Sequence, residues 1–209
     1  MDVYRTEEEQ IEAMKRWWQH NAANAVIAVI LGLGAIFGWR HWQNQGQEEI
    51  EKASRLYQRI IIHTREQDYE SAEESATTML SRYPDSIYAV FARLMLARLA
   101  VEEDDLDKAA QQLQTALGQN DNPTVEHLIR IRLARVLLTQ EKTEDAASLL
   151  EVGETGNFAA SYAELRGDVK SQQGDVAGAR QAYEEAMQKA QEAGREDPAV
   201  EIKLNNLGK

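Results

Sequence analysis

The four histidines, His20, His41, His63 and His127, are the first residues to test for chemistry, because imidazole serves both acid–base catalysis and metal binding near neutral pH. They are scattered, and none stands in an HxxxH or ExxH pair that would put two ligands on one helical face. The chain has no cysteine, which removes disulfides, zinc–thiolate sites and thiol nucleophiles together. The acidic run EEDDLD from Glu102 to Asp107 has charge enough for calcium but lacks the alternating ligands and turn glycine of an EF-hand. A solvated charge run at a turn is the simpler reading. Gly32 and Gly34 in LGLGAIFG begin like a dinucleotide fingerprint, yet Phe37 fills the third glycine position and no strand precedes them. Asn122-Pro123-Thr124 is barred as a glycosylation acceptor by its proline. Carboxylates are abundant, but none has a partner that marks an acid/base pair. These residues point to no enzyme, no metal and no cofactor, and leave binding as the chemistry.

Six residues are candidates for contact with a partner. Gly34 and Gly38 form a GxxxG, and Ala28 with Gly32 adds a second small-xxx-small pair; such a face lets another helix approach closely. Glycine is also simply common in membrane helices, and that reading stays open. Arg93, Arg130, Arg132 and Tyr162 fall one or two turns before the exit of the first helix of a helical repeat, where a stacked array lines its groove. For each arginine an ordinary exposed or internally paired residue is the competing reading.

Charge narrows the partner. The chain of 209 residues carries 23 basic and 35 acidic side chains, a net −12. The first 42 residues hold 4 basic and 5 acidic groups, so the remainder holds 19 and 30, a net −11. An acidic domain without a basic stripe repels phosphate backbones, which argues against nucleic acid.

The elements that carry these residues are of two kinds. The first is the run AANAVIAVILGLGAIFGW from Ala22 to Trp39. Between Arg16 and Arg40 lie 23 residues without Lys, Arg, Asp or Glu. As a helix they span roughly 34 Å, enough for a hydrocarbon core of about 30 Å. All four tryptophans, Trp17, Trp18, Trp39 and Trp42, flank this run, where amphipathic rings settle at a membrane interface. The sequence predicts a transmembrane helix over 22–42, in preference to the buried core helix of a soluble protein. Bulky residues in GWRHWQNQ leave no small-x-small cleavage site, so it reads as an uncleaved signal anchor. Residues 1–21 form a short tail that is either an amphipathic helix, with Val3, Ile11, Met14 and Trp18 on one side and Thr6–Glu9 as capping box, or a mobile collar. Flanking charges are balanced: Arg5, Lys15 and Arg16 before the run, Arg40, Lys52, Arg55 and Arg59 after it. They do not fix the orientation.

The second kind is a repeat within 43–209. Four segments share a turn, an alanine, an apolar residue four on and a small or apolar residue three further. They are DYESAEESATTML, DLDKAAQQLQTAL, KTEDAASLLEVG and GDVAGARQAYEEAM, built on Ala72, Ala109, Ala146 and Ala179. The alanines stand 37, 37 and 33 residues apart, close to the period of about 34 of a tetratricopeptide repeat (TPR). Leu96–Ala97, Leu133–Ala134 and Gly167 supply the apolar–small step of the preceding helices. The expectation is an all-α fold: one N-terminal transmembrane helix, then a TPR solenoid of about four repeats. Its helices are expected at 48–66, 69–82, 86–102, 106–118, 123–140, 143–152, 158–173 and 176–193, with a capping helix at 198–207. An unrelated antiparallel bundle is the alternative that the spacing disfavours.

The block EEEQIEAMKRWWQHN, the anchor VILGLGAIFGWRHW, the repeat piece LRGDVKSQQGDVAGARQAY and the ending IKLNNL together resemble the YfgM family, ancillary subunits of the SecYEG translocon of Gram-negative bacteria. The resemblance covers essentially the whole chain, and its specific part is the N-terminal block with the anchor. It implies an inner-membrane protein with a cytoplasmic N-terminus and a periplasmic TPR domain. It further implies association with SecYEG and with the membrane-anchored chaperone PpiD, and a role in passing secreted polypeptide clients to periplasmic chaperones. The family's cytoplasmic tail is linked to restraint of a stress-response regulator. A scaffold for other cell-envelope assembly machinery is the alternative function. The family has no catalytic motif to transfer.

Overall fold

A computed structural model gives the arrangement of these elements. It describes residues 7–207, without the side chains of 7–9, 13, 25 and 41–46. Val3, the Thr6–Glu9 capping pair, His41 and Trp42 of the sequence reading therefore lie outside the described residues.

Among the described residues all regular structure is helical. The helices are α1 (Glu7–Arg65), α2 (Tyr69–Arg82), α3 (Ile87–Glu102), α4 (Leu106–Gln119), α5 (Pro123–Thr139), α6 (Thr143–Leu149), α7 (Ala159–Gln172), α8 (Val176–Glu192) and α9 (Pro198–Asn206), with a 3-10 turn at Gly156–Phe158. The chain divides into two compact units, Met1–Lys52 and Ala53–Lys209.

In the first unit α1 carries the apolar run. Its segments Gln10–Asn24 and Val26–Arg40 are bent by 49°. Among the described residues no single straight helix is long and apolar enough to cross a membrane; the bent pair passes together by length and composition. Every described side chain from Val26 to Arg40 is exposed, with Leu31 at 68% and Phe37 at 67%. The run is thus no core helix of this chain. Trp17 and Trp18 lie with ring centroids 6.4 Å apart, both exposed.

The second unit is built from helix pairs, and the reason is written in its turns. Each first helix ends on a residue in the left-handed region: Gln67, Asp104, Glu141 and Gly174, with φ of 62°, 61°, 60° and 77°. The next residue returns its N–H to a carbonyl five back, as Asp68 does to His63 and Asp105 to Ala100, the closure of a Schellman-type C-terminus. That same residue caps the second helix. Asp68 accepts from the Ser71 N–H, Asp105 from Lys108 and Asp175 from Gly178. Lys142 fills this position in the third pair and makes no side-chain cap bond, and its helix α6 is the shortest, at 7 residues.

Five residues beyond each left-handed turn stands the repeat alanine. Ala72, Ala109, Ala146 and Ala179 are all 0% exposed. Their small side chains let each second helix lie tightly on its neighbours. Ala53, Leu56 and Ile60 at the end of α1 pack with Ala76, Met79, Ala89 and Leu96, so this stretch is the first helix of the first pair. The main core runs through α3 to α7 on Leu94, Leu113, Ile129, Leu133 and Leu165. At the open end Val200, Leu204 and Leu207 cover Ala163, Tyr183 and Ala186, which makes α9 the capping helix. Pro123 and Pro198 sit in the first turns of α5 and α9, where a missing N–H costs nothing.

Candidate functional site

A cleft of about 370 Å3 opens between α3 and α5 and is floored by α4. The two first-of-pair helices provide eight of its ten lining residues: Leu94, Ala97, Arg98 and Val101 from α3, and Arg132, Arg135, Val136 and Thr139 from α5. Leu106 and Leu113 of α4 close the bottom. Its wall is aliphatic and its rim is three arginines.

The arginines differ in their partners. Arg98 donates Nε–H to Glu102 Oε1 at 2.9 Å, one turn further along the same helix. Arg135 donates from Nη2 to Glu164 Oε2 at 3.3 Å. Arg132 makes no hydrogen bond or ion pair among the described residues. Arg132 is an exposed residue; partial burial of its guanidinium, then the charges of Arg135 and Arg98, lower its pKa, and Tyr57 acts the other way. Tyr57, at the end of α1, lies 5.6 Å from Tyr88 and 5.8 Å from Phe91 between ring centroids, which fixes it against α3.

Beyond Arg135 a polar chain continues onto the capping helix. Glu164, 8% exposed, also accepts from Lys203 Nζ at 2.7 Å. Lys203 reaches Asp168 Oδ2 at 2.7 Å, and Tyr183 donates its hydroxyl to Asp168 Oδ1 at 2.8 Å. Burial works to lower the Lys203 pKa, but the hydrogen bonds to Asp168 and Glu164 outweigh it and the net direction is up. Burial and the Asp168 carboxylate push Tyr183 up. Every member has a partner, as a partly buried network requires.

The six residues singled out from sequence are placed as follows. Arg132 lines the cleft. Arg93 does not; it donates to Gln119 at 2.8 Å and Gln112 at 3.1 Å, tying α3 to α4, and burial lowers its pKa. Arg130 is turned to Glu126 on its own helix, at 2.7 Å. Tyr162 is 0% exposed, with its hydroxyl 3.0 Å from His127 Nδ1 and its ring edge-on to that imidazole. It is a core residue linking α5 to α7. Gly34 and Gly38 are exposed, and a Cβ at either would meet nothing within 4 Å.

Arg98 and Arg135 escaped the sequence reading, although a signal was present. They follow Ala97 and Ala134 of the apolar–small step and so occupy one repeat position, 37 residues apart. Asp168 after Gly167 is the next member, 33 further on. No group of three or more His, Asp or Glu is placed to hold a metal ion among the described residues.

Stacked helix pairs on buried alanines, an open cleft on the first-helix side and a capping helix define a TPR-like domain. The family model of the tetratricopeptide repeat-like domain matches residues 15–209. Two relatives, each an "Ancillary SecYEG translocon subunit", are 32% identical: one from Haemophilus influenzae over 206 residues, 98% of this chain and 100% of the relative, and one from Escherichia coli (strain K12) over 207 residues, 99% of each. A third of the same description, from Aggregatibacter actinomycetemcomitans, is 26% identical over 206 residues, 98% of this chain and 100% of the relative. The chain belongs to this family of TPR-like ancillary SecYEG translocon subunits, the family that its N-terminal block, anchor and repeats resemble.

Proposed function

We propose that this chain is a single-pass membrane subunit of the SecYEG translocon that presents its solenoid as a protein-binding surface. The observation that carries the proposal is the end-to-end likeness to ancillary translocon subunits, with the exposed apolar run included in the matched length. Exposed aliphatic side chains along Val26–Arg40 support the anchor, because a helix apolar all round cannot rest in water. In this reading residues 1–21 are a cytoplasmic tail, 22–42 the anchor and 43–209 the periplasmic TPR-like domain. The open faces of Gly34 and Gly38 dock on a membrane helix of the translocon. The domain hands emerging secreted chains to periplasmic chaperones, with PpiD as partner, and no step of this is catalytic.

Two measurements test it. Purification from membranes in mild detergent recovers SecY with this chain; recovery of the chain alone contradicts the role. The variant G34L/G38L inserts normally and recovers less SecY, since a Cβ at either position meets nothing within 4 Å among the described residues and the added bulk faces outward; undiminished recovery removes the glycine face from the account. Orientation is read by single cysteines at Thr6 and Gln119 in this cysteine-free chain. An impermeant maleimide added to spheroplasts labels Gln119→Cys alone, whereas labelling of Thr6→Cys alone reverses the topology.

A further inference from the structure

The α3–α5 cleft holds a positive charge that its surroundings do not balance. In and beside it stand four cations, Arg98, Arg132, Arg135 and Lys203, and three carboxylates that pair with them, Glu102, Glu164 and Asp168. Glu164 is shared, held by Lys203 at 2.7 Å and only loosely by Arg135 at 3.3 Å. The cation left over is Arg132. It projects into the cleft with no carboxylate, although the chain around it has a net charge of −12 and carboxylates are its commonest charged groups. Arg98 and Arg135 line the same cleft, so an anion that enters it meets three guanidiniums, of which Arg132 has no carboxylate to give up.

The rest of the cleft states what else that anion must carry. Leu94, Val101, Leu113 and Val136 form an aliphatic wall directly beside the guanidiniums, and Val101 is 44% exposed. At about 370 Å3 the space lies near the small end of ligand-sized sites. It suits one or two apolar side chains of a peptide, with carboxylates close by in sequence. Guanidinium binds carboxylate through two parallel hydrogen bonds, so Arg132 adds orientation as well as attraction.

We infer that the α3–α5 cleft is a docking site for an acidic, leucine- or phenylalanine-containing segment of a partner protein, with its carboxylate on Arg132 and its apolar side chain on the Leu94–Val136 wall. This inference rests on the reading of the solenoid as a binding surface and names the chemistry of its occupant. Arg98 and Arg135 flank the contact and can exchange their present carboxylates for those of the segment.

The test uses the full chain in a neutral detergent and a fluorescein-labelled peptide of sequence DELFDEL, with NQLFNQL as its uncharged counterpart, read by fluorescence anisotropy. DELFDEL binds, and NQLFNQL binds about tenfold more weakly or worse. Arg132→Gln weakens DELFDEL by a similar factor and leaves NQLFNQL unchanged, and Arg132→Lys recovers part of the loss. Equal binding of the two peptides, no binding of either, or an equal loss of both in Arg132→Gln overturns the inference. So does Arg132-dependent binding of soluble dihexanoyl-phosphatidylglycerol without binding of DELFDEL, which gives the cleft to a lipid headgroup. Recovery of SecY with the same preparations is scored alongside. If SecY is retained while the peptides fail, only the occupant is wrong; if SecY is lost, the translocon role itself fails.

Discussion

The ring of Tyr183 fills the space that a Cβ on Gly167 would need. Gly167 lies in α7 and Tyr183 in α8, and an added Cβ would run into Cδ1 and Cε1 of the ring. The ring cannot yield, because Tyr183 is 3% exposed and its hydroxyl is held by Asp168. The closest helix crossing in the last pair thus depends on one missing methyl group.

Gly167→Ala is therefore expected to destabilise the domain. Alanine favours a helix over glycine by about 1 kcal/mol, but overpacking costs about 1–3 kcal/mol and the ring is rigid. The net loss lowers the melting temperature by a few degrees, at about 2–4 °C per kcal/mol for a chain of this size. Thermal unfolding followed by circular dichroism checks it, and an unchanged or higher melting temperature contradicts the packing argument.

Lys142→Asn is expected to stabilise. The other three second helices start on an aspartate that accepts a backbone N–H, whereas Lys142 offers α6 no acceptor. Asparagine supplies one without adding charge beside Glu144 and Asp145, and a cap is worth about 1 kcal/mol. The lost ion pair to Asp107, at 3.5 Å and exposed, subtracts little. Slower hydrogen exchange confined to α6, with a higher melting temperature, is the expected pattern.

Acid weakens the aspartate caps. The Gly178 N–H, then Lys170, hold Asp175 below its usual pKa, and Ser71 does the same for Asp68. A lowered folded-state pKa means stability that is present above the unfolded value near 3.9 and lost as pH falls through the folded one. The melting temperature of the native chain exceeds that of Asp175→Asn at neutral pH, and the gap closes as pH drops below about 4. A gap constant down to the acid limit contradicts the assignment.

Lys203→Met is expected to loosen α9. It leaves the buried Glu164 with Arg135 alone and removes a charged partner from Asp168. The cost is about 1–3 kcal/mol, toward the lower end because the lysine side chain is one-third exposed. The raised pKa of Lys203 makes its contribution complete below the unfolded value near 10.4 and lost as pH rises through the higher folded one. Faster exchange across α9 in the variant, reproduced in the native chain only at strongly alkaline pH, is the signature.

Much of this architecture is legible in the residues themselves. Ala72, Ala109, Ala146 and Ala179 mark the repeat because a buried helix crossing tolerates only a small side chain, and that demand recurs at a fixed spacing. The turns are equally regular, yet the left-handed position is glycine only at Gly174; Gln67, Asp104 and Glu141 carry no such mark. The continuity of α1 through the polar stretch after Trp42 was not legible, since nothing apolar there has a period, and the sequence reading starts a new helix at 48. For α6 the expected end at 152 gives way to Leu149, in a helix that begins without a cap.

The candidate site was read less completely. Arg132 is found because it stands about two turns before the end of α5, but the same rule also selects Arg93 and Arg130, which pair within the domain. Tyr162 looks like a groove aromatic in sequence and is core in space, because a hydroxyl satisfied by His127 removes the cost of burying it. Arg98 and Arg135 are recognisable only once their shared repeat position is noticed.

The central claim is that this chain works at the SecYEG channel, and photocrosslinking in living cells tests it most directly. A photoreactive amino acid placed at Gly34 or Gly38 in the apolar run, and at Val101 in the cleft, traps whatever lies against each position. The account predicts crosslinks to SecY from the anchor positions and to a soluble or membrane-tethered polypeptide from Val101. Absence of SecY adducts from both glycine positions, with the chain inserted and folded, would contradict it.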